Sequence, residues 1–287
     1  MIIGISGNFN KKDTYPILRD LGVFLSSKNI TFYILEDKDI DFSRISSLEI
    51  IKDFKYISNN CDIIISIGGD GTIISTIRKF IEFNKPILGL HIGGLGFLAE
   101  CSTENYKDKI LDLISNKYFV EERMLLKVET EDTILHAINE LVINRVDSVR
   151  TIKVNLDISN KYANSYESDG IIFSTPTGST AYSLSAGGPI IYPTLSLFAI
   201  TPICSHTLSM RPLIISSEEL IKISFDKNSF NKKVSLTVDG QKQKIISNDS
   251  EVFISKSNYI ANIIKFNDDY YNTLRNKMNW KGNLRYK

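Results

Sequence analysis

Asp70 lies inside a glycine turn, Gly68-Gly69-Asp70-Gly71-Thr72, and a carboxylate in that setting needs a chemical reason. The turn follows Ile63-Ile64-Ile65-Ser66-Ile67, a β-branched run that reads as a strand buried on both faces. It precedes apolar positions at 73, 74, 77, 80 and 81, which recur at a helical period. Strand, glycine turn and helix together aim backbone N–H groups and a positive helix end at an anion, usually phosphate. A carboxylate there would repel phosphate unless it binds a bridging cation or takes a proton from an attacking hydroxyl. Either role points to phosphoryl transfer. The plainer alternative is a tight turn in which Asp70 or Thr72 caps the next helix. No Lys follows the glycines as in a Walker A loop, and the G-x-G-x-x-G spacing is absent.

Two further stretches carry polar groups in apolar surroundings. In Leu135-His136-Ala137-Ile138-Asn139-Glu140-Leu141-Val142-Ile143, strand alternation places Asn139 on the face of Leu135, Ala137, Leu141 and Ile143. Its amide is then buried and needs partners, while Glu140 faces the other way. Both can touch one ligand only at a strand end or a bulge. The segment from Ser168 to Pro189 is denser still. Ile171–Ser174 reads as a short strand that Pro176 and Gly178 break. Ser179 or Thr180 then caps a brief helix, and Gly187-Gly188-Pro189 stops it. The hydroxyls of this segment, with Asp169 and the Tyr182 ring, suit a nucleoside. A serine hydrolase is the rival reading. There is no G-x-S-x-G elbow, however, and His91, His136 and His206 lie in no triad context.

These residues need a scaffold, and the chain of 287 residues has length for one large domain or two ordinary ones. Strands at 2–6, 31–35, 63–67 and 86–90 alternate with helices at 13–29 and 45–57 and after Thr72, which argues for a doubly wound α/β layer with ligands at the strand carboxyl ends. A second turn, Gly93-Gly94-Leu95-Gly96, follows the fourth strand. Beyond a helix at 106–116 the pattern becomes short strands, 252–254 among them, between turn signals such as Ser159-Asn160 and Asp239-Gly240, followed by a strand at 259–265 and a helix at 268–280. The boundary falls around residues 100–122. It divides residues 1–110, an α/β domain joined by a C-terminal 266–287 segment, from a β-rich, sandwich-like domain over 111–265.

Lys+Arg of 34 against Asp+Glu of 33 leaves a net charge of +1, which favours neither nucleic acid nor an anionic membrane. No apolar run approaches the roughly 20 residues that span a bilayer. The first residues lack a basic stretch and a long apolar core, so they do not read as a signal peptide. Cys61, Cys101 and Cys204 are odd in number and scattered, fitting reduced thiols in a cytoplasm, and no His or Cys spacing fits a metal.

The chain closely resembles the NAD kinase family. The resemblance rests on Gly-Gly-Asp-Gly-Thr at 68–72, Asn-Glu at 139–140 and the long match from Asp169-Gly170 through Ser174–Pro189. Smaller matches are Leu95-Gly96-Phe97-Leu98, the segment from Pro202 to Pro212, and Asp239-Gly240-Gln241. It implies transfer of the terminal phosphate of ATP, or of polyphosphate, to the adenosine ribose 2′-hydroxyl of NAD, with a divalent cation such as Mg2+. Asp70 takes the catalytic position, and Gly68, Gly69, Gly71 and Thr72 the phosphate-binding turn. Asp70, Gly71, Asn139, Glu140, Arg150, Asp169, Thr180, Ala181, Tyr182, Ser183, Leu184, Ser185 and Gln241 match positions that contact NAD, Arg150 by spacing alone. His91 stands where Asn is usual, and Glu167 where several members carry a basic residue. The family also implies two domains and a homo-oligomer, a dimer or a tetramer. The competing classes are a lipid kinase of the diacylglycerol or sphingosine type, which shares the glycine turn, and a non-catalytic nucleotide binder. The hydroxyl-rich 175–185 stretch argues against the first and Asp70 against the second.

Overall fold

The runs Ile2–Gly7 (β1) and Ile63–Gly68 (β4) are almost wholly apolar because both faces of the strands they form are covered. The computed structural model describes residues 1–45, 50–93, 96–146, 151–207, 209–227, 232–267 and 269–278. Arg150, Gly94, Leu95 and the end of the expected C-terminal helix at Trp280 lie outside the described residues. The chain forms two compact units, Met1–Glu121 with Asn262–Lys287, and Glu122–Ala261.

In the first unit, β2 (Thr31–Leu35), β3 (Ile51–Lys52) and β5 (Ile87–His91) complete a parallel sheet of order β3-β2-β1-β4-β5. The short β6 (Cys101–Ser102) and Ile263 of the last strand both pair with β5 in parallel. Helices α1 (Thr14–Ser27), α2 (Phe54–Asn60), α3 (Asp70–Phe80) and α4 (Tyr106–Ile114) fill the connections. This is the doubly wound arrangement expected from the alternation. The strand order reverses between β1 and β4, and the carboxyl end of β4 is where the glycine turn begins, the place such sheets bind ligands. A buried chain of hydroxyls fastens α3 behind that turn. Thr76 Oγ1 lies 2.9 Å from Ser66 Oγ on β4 and 3.3 Å from Ser6 Oγ on β1, and donates to the Thr72 carbonyl at 3.0 Å.

The expected helix over 45–57 is corrected. Ile51-Lys52 pair with Ile34 and Leu35 as a strand, and α2 starts only after Asp53, whose carboxylate accepts the Tyr56 N–H at 2.7 Å. An extended Asp with its side chain on the third N–H is a helix start, and it outweighs the apolar period on either side.

The second unit is built from two antiparallel sheets. One contains β10 (Ile152–Ile158), β11 (Lys161–Ser168), β15 (Ile221–Phe225) and β18 (Val252–Lys265), with the hairpin of β7 (Phe119–Thr130) and β8 (Thr133–Ala137) beside β18. The other has the order β14 (Leu213–Ser216), β13 (Leu197–Ile203), β12 (Gly170–Ser174), β9 (Glu140–Arg145), β16 (Lys233–Val238), β17 (Lys242–Ser247). Val154, Leu156, Ile223 and Ile254 of the first sheet and Leu141, Phe173, Phe198 and Leu236 of the second are fully buried in one apolar cluster, the interior of a sandwich. Ser159 and Asn160 have φ of 47° and 63°, and Ile158 faces Lys161, so they form the expected two-residue hairpin turn.

Strands β13, β14 and β17 have no clear signature in the sequence. Pro202 interrupts the first, Pro212 precedes the exposed second, and the third opens Lys-Gln-Lys. The expected separate strands at 252–254 and 259–265 are one strand, β18, whose polar centre hides its continuity.

Candidate active site

The turn after β4 fixes where the Asp70 carboxylate lies. Gly69, extended at φ −86° and ψ 179°, is the N-cap residue just before α3, and no side chain caps the helix. Asp70 therefore does not serve as the cap of its own helix. Its carboxylate turns to a distant loop, accepting the Phe97 N–H at 2.6 Å and the Leu98 N–H at 3.2 Å. The approach is so close that a Cβ on Gly96 would stand 1.8 Å from Asp70 Oδ1. Glycine at 96 is thus a condition for the geometry of Asp70. Gly71 is exposed, Gly69 and Thr72 are partly so, and Gly68 is buried at the strand end. Together they present the start of α3, whose first N–H groups carry the positive end of the helix. His91, beside Gly68 in the sheet register, is 7% exposed, and its Nδ1 has no hydrogen-bond partner among the described residues.

In the second unit the expected single strand across Asn139-Glu140 is broken. Strand β8 ends at Ala137, β9 begins at Glu140, and Ile138-Asn139 form a bend between them. The cause is a carboxylate 100 residues further on. Asp239 accepts the backbone N–H groups of Ile138 at 3.2 Å, Asn139 at 2.7 Å and Glu140 at 3.2 Å, and returns its own N–H to the Glu140 carbonyl at 3.0 Å. The bend resolves the alternation problem: at a strand end both side chains can serve one ligand. Asn139 is half-buried, less enclosed than strand alternation implies. Its carbonyl accepts the Thr175 N–H at 2.9 Å, and a Cβ on Gly178 would stand 2.1 Å from that same oxygen. The Thr177–Thr180 turn therefore packs directly on Asn139.

Glu140 is 5% exposed, and its Oε2 has no hydrogen-bond partner among the described residues. Burial, and then the like charge of Asp239, push its carboxyl up to about 8, against the pull of a backbone N–H from Tyr182. That amide ties the Asn-Glu pair to the helix α5 (Tyr182–Ser185). Tyr182 is 44% exposed, and Thr180, Ala181 and Leu184 are half-buried. Ser185 is exposed. Ser183 is fully buried with its hydroxyl 3.1 Å from Thr201 Oγ1, which makes it a support for the segment. Ser179 caps no helix. It donates to the Pro176 carbonyl at 2.7 Å and accepts the Ile191 N–H at 3.1 Å. Gln241 is exposed in the Asp239–Gly240 hairpin turn, where both residues have positive φ, 50° and 65°.

Asp169 lies apart from this group. It precedes β12, and its Oδ1 meets Arg145 at 2.7 Å, at the far end of the β9–β12 ladder from Glu140. Four residue steps separate Gly170, next to Asp169, from Ser174, which faces Glu140, or about 13 Å of strand. Sequence reasoning missed Arg145, Asp239 as an organiser of the bend, and Arg123, whose buried guanidinium donates to Thr177 Oγ1 at 3.2 Å. Among the described residues no three His, Cys, Asp or Glu side chains are grouped to hold a metal.

Comparison with known proteins places the chain in a family. The model for the ATP-NAD kinase N-terminal domain matches residues 3–118, and that for the ATP-NAD kinase C-terminal domain matches residues 138–266. A protein of Clostridium tetani (strain Massachusetts / E88) named NAD kinase is 41% identical over 228 residues, covering 77% of this chain and 82% of its own. One of the same name from Clostridium botulinum (strain Kyoto / Type A2) is 36% identical over 282 residues, covering 88% and 97%. The crystal structure of yeast NADH kinase complexed with NADH superposes with a TM-score of 0.88 at 25% identity, covering 100% of this chain and 90% of that one. An NAD kinase from Archaeoglobus fulgidus in complex with ATP gives a TM-score of 0.76 at 24% identity, covering 98% and 100%, and supports the fold.

Proposed function

The chain belongs to the NAD kinase family, and on that premise we propose that it transfers the terminal phosphate of ATP to the adenosine ribose 2′-hydroxyl of NAD, giving NADP and ADP. The observation that carries the mechanism is the placement of Asp70: a carboxylate withdrawn from helix capping and held by two amides at a phosphate-binding turn. A ribose hydroxyl is a poor nucleophile at neutral pH and sheds its proton as it attacks. Asp70 receives that proton while the 2′-oxygen bonds to the terminal phosphorus and the bond to ADP breaks. Gly68, Gly69, Gly71 and Thr72 bring backbone N–H groups and the helix end to the transferring phosphate, where charge develops.

Asn139, Glu140, Thr180–Ser185 and Gln241 form the acceptor side in this reading. The exposed Tyr182 ring offers an aromatic face, and the unpartnered Glu140 oxygen a polar contact. A divalent cation such as Mg2+ would be held mainly by the ATP phosphates, needing few ligands from the protein, and would supply charge neutralisation there. The distance of Asp169 along the ladder supports a homo-oligomer, dimer or tetramer, in which a second copy completes each acceptor site. Light scattering should then give a mass well above the 32.5 kDa of one chain, and a fully active monomer would contradict it. Cys61 and Cys101 are buried thiols, pushed up to about 11 and about 12 chiefly by burial, and none of the three cysteines is paired. This supports a cytoplasmic protein, and no helix among the described residues is long and apolar enough to cross a membrane.

The lipid-kinase alternative is not favoured, because family models match both halves of the chain. One assay tests the proposal: NAD, NADH and diacylglycerol as acceptors, each with ATP and with polyphosphate. NADP formation from NAD and ATP is the expected result. NADH stands as a second acceptor because the yeast relative is an NADH kinase. Phosphorylation of diacylglycerol alone would overturn the reading.

A further inference from the structure

The helix α6 (Tyr270–Met278) belongs to the same unit as the glycine turn and carries one lysine in an unusual setting. Lys277 is half-buried, with its ammonium 4.8 Å from the centre of the Phe97 ring. Phe97 is also the residue whose N–H holds Asp70 Oδ2 at 2.6 Å. The ring that carries the lysine and the amide that holds the carboxylate thus belong to one residue. Among the described residues Lys277 makes no ion pair within 4.0 Å. Burial lowers its pKa to about 8; attraction by Asp70 opposes the fall and repulsion by Lys265 adds to it. Lys265 is committed elsewhere, to Glu100, whose second oxygen accepts the Phe266 N–H at 3.4 Å.

A desolvated ammonium with an incomplete set of partners gains most when an anion arrives. The glycine turn is where an anion arrives, and it lacks the lysine that a Walker A loop carries within its own sequence. The aromatic face engages one side of the ammonium and leaves its other N–H donors available. We propose that Lys277 supplies the cationic contact to the phosphate chain of the nucleoside triphosphate bound at the Gly68–Thr72 turn. The inference rests on the donor reading given above and adds a residue from the far end of the chain to that site.

Calorimetric titration of ATP into wild type, Lys277→Met and Lys277→Arg tests this without requiring turnover. Lys277→Met keeps the packing on Phe97 and removes the charge, so ATP affinity should fall about 10- to 100-fold. Lys277→Arg should recover most of it. In steady state the loss should appear in kcat/KM for ATP, with KM for NAD within about twofold of wild type. Equal ATP binding by wild type and Lys277→Met would overturn this inference alone, as would Lys277→Arg binding ATP as weakly as Lys277→Met. No ATP binding by wild type would overturn the donor reading and this inference together. Should Lys277→Met fail to fold, Lys277→Gln takes its place with the same expected loss.

Discussion

Asp70 and Glu140 are both acids at the junction of a strand and a turn, one in each unit, and their surroundings differ in sign. Around Asp70 two backbone N–H groups converge on the carboxylate, and a lysine lies in its field. Around Glu140 there is burial, a neighbouring carboxylate and one amide, with one oxygen left unmatched. The first setting holds both carboxylate oxygens in place at the turn. The second raises the carboxyl and favours its neutral form, able to donate or accept a hydrogen bond. Residue type alone does not assign the role; the donors aimed at each oxygen do.

Replacing Asp70 should produce the largest effect. Asp70→Asn keeps the shape but loses basicity, and its NH2 would face one of the two N–H groups that the carboxylate accepts, so kcat should fall roughly 10²–10⁴-fold, the range for losing a general base. Steady-state NADP formation reads it. Gly96→Ala should act through geometry: the added methyl overlaps Asp70 Oδ1, and displacement of the carboxylate should lower kcat by about 10². Wild-type turnover in Gly96→Ala would break the link between the loop and the acid.

On the other side of the comparison, Asn139→Ala should weaken NAD binding by about 1–3 kcal/mol, measured by calorimetry on the folded variant. Unchanged affinity would make Asn139 a structural amide only. The smallest effect concerns pH. Glu140 is raised above its unfolded value, so between about pH 4.5 and 8 the folded protein holds a proton that the unfolded chain has released. The stability this gives is full below that window and is lost as pH rises through it. Tm should fall by a few degrees between pH 5 and pH 8, and this component should vanish in Glu140→Gln.

Local features were legible in the sequence. The Gly68–Thr72 turn, the Ser159-Asn160 hairpin and the Asp239-Gly240 turn are each decided by a few adjacent residues whose backbone preferences are strong. What escaped depends on partners far along the chain. Nothing near Asn139 announces that Asp239 will take three of its neighbourhood's N–H groups and break the strand. Nothing near Asp70 announces the amides of Phe97 and Leu98, and Lys277 in a polar helix looks like any surface lysine. Strands such as β17 were hidden because their pairing is supplied by a neighbour and not by their own apolar content.

The division of labour between the Asp70 turn and the Asn139-Glu140 bend is tested most directly by titrating NAD into Asp70→Asn and, in parallel, into Asn139→Ala. Asp70→Asn should bind NAD within about threefold of wild type while turning over roughly 10²–10⁴-fold more slowly, and Asn139→Ala should lose affinity instead. If Asp70→Asn folds normally and keeps turnover within a few-fold of wild type, Asp70 is only a turn residue and the account of the chemistry is wrong.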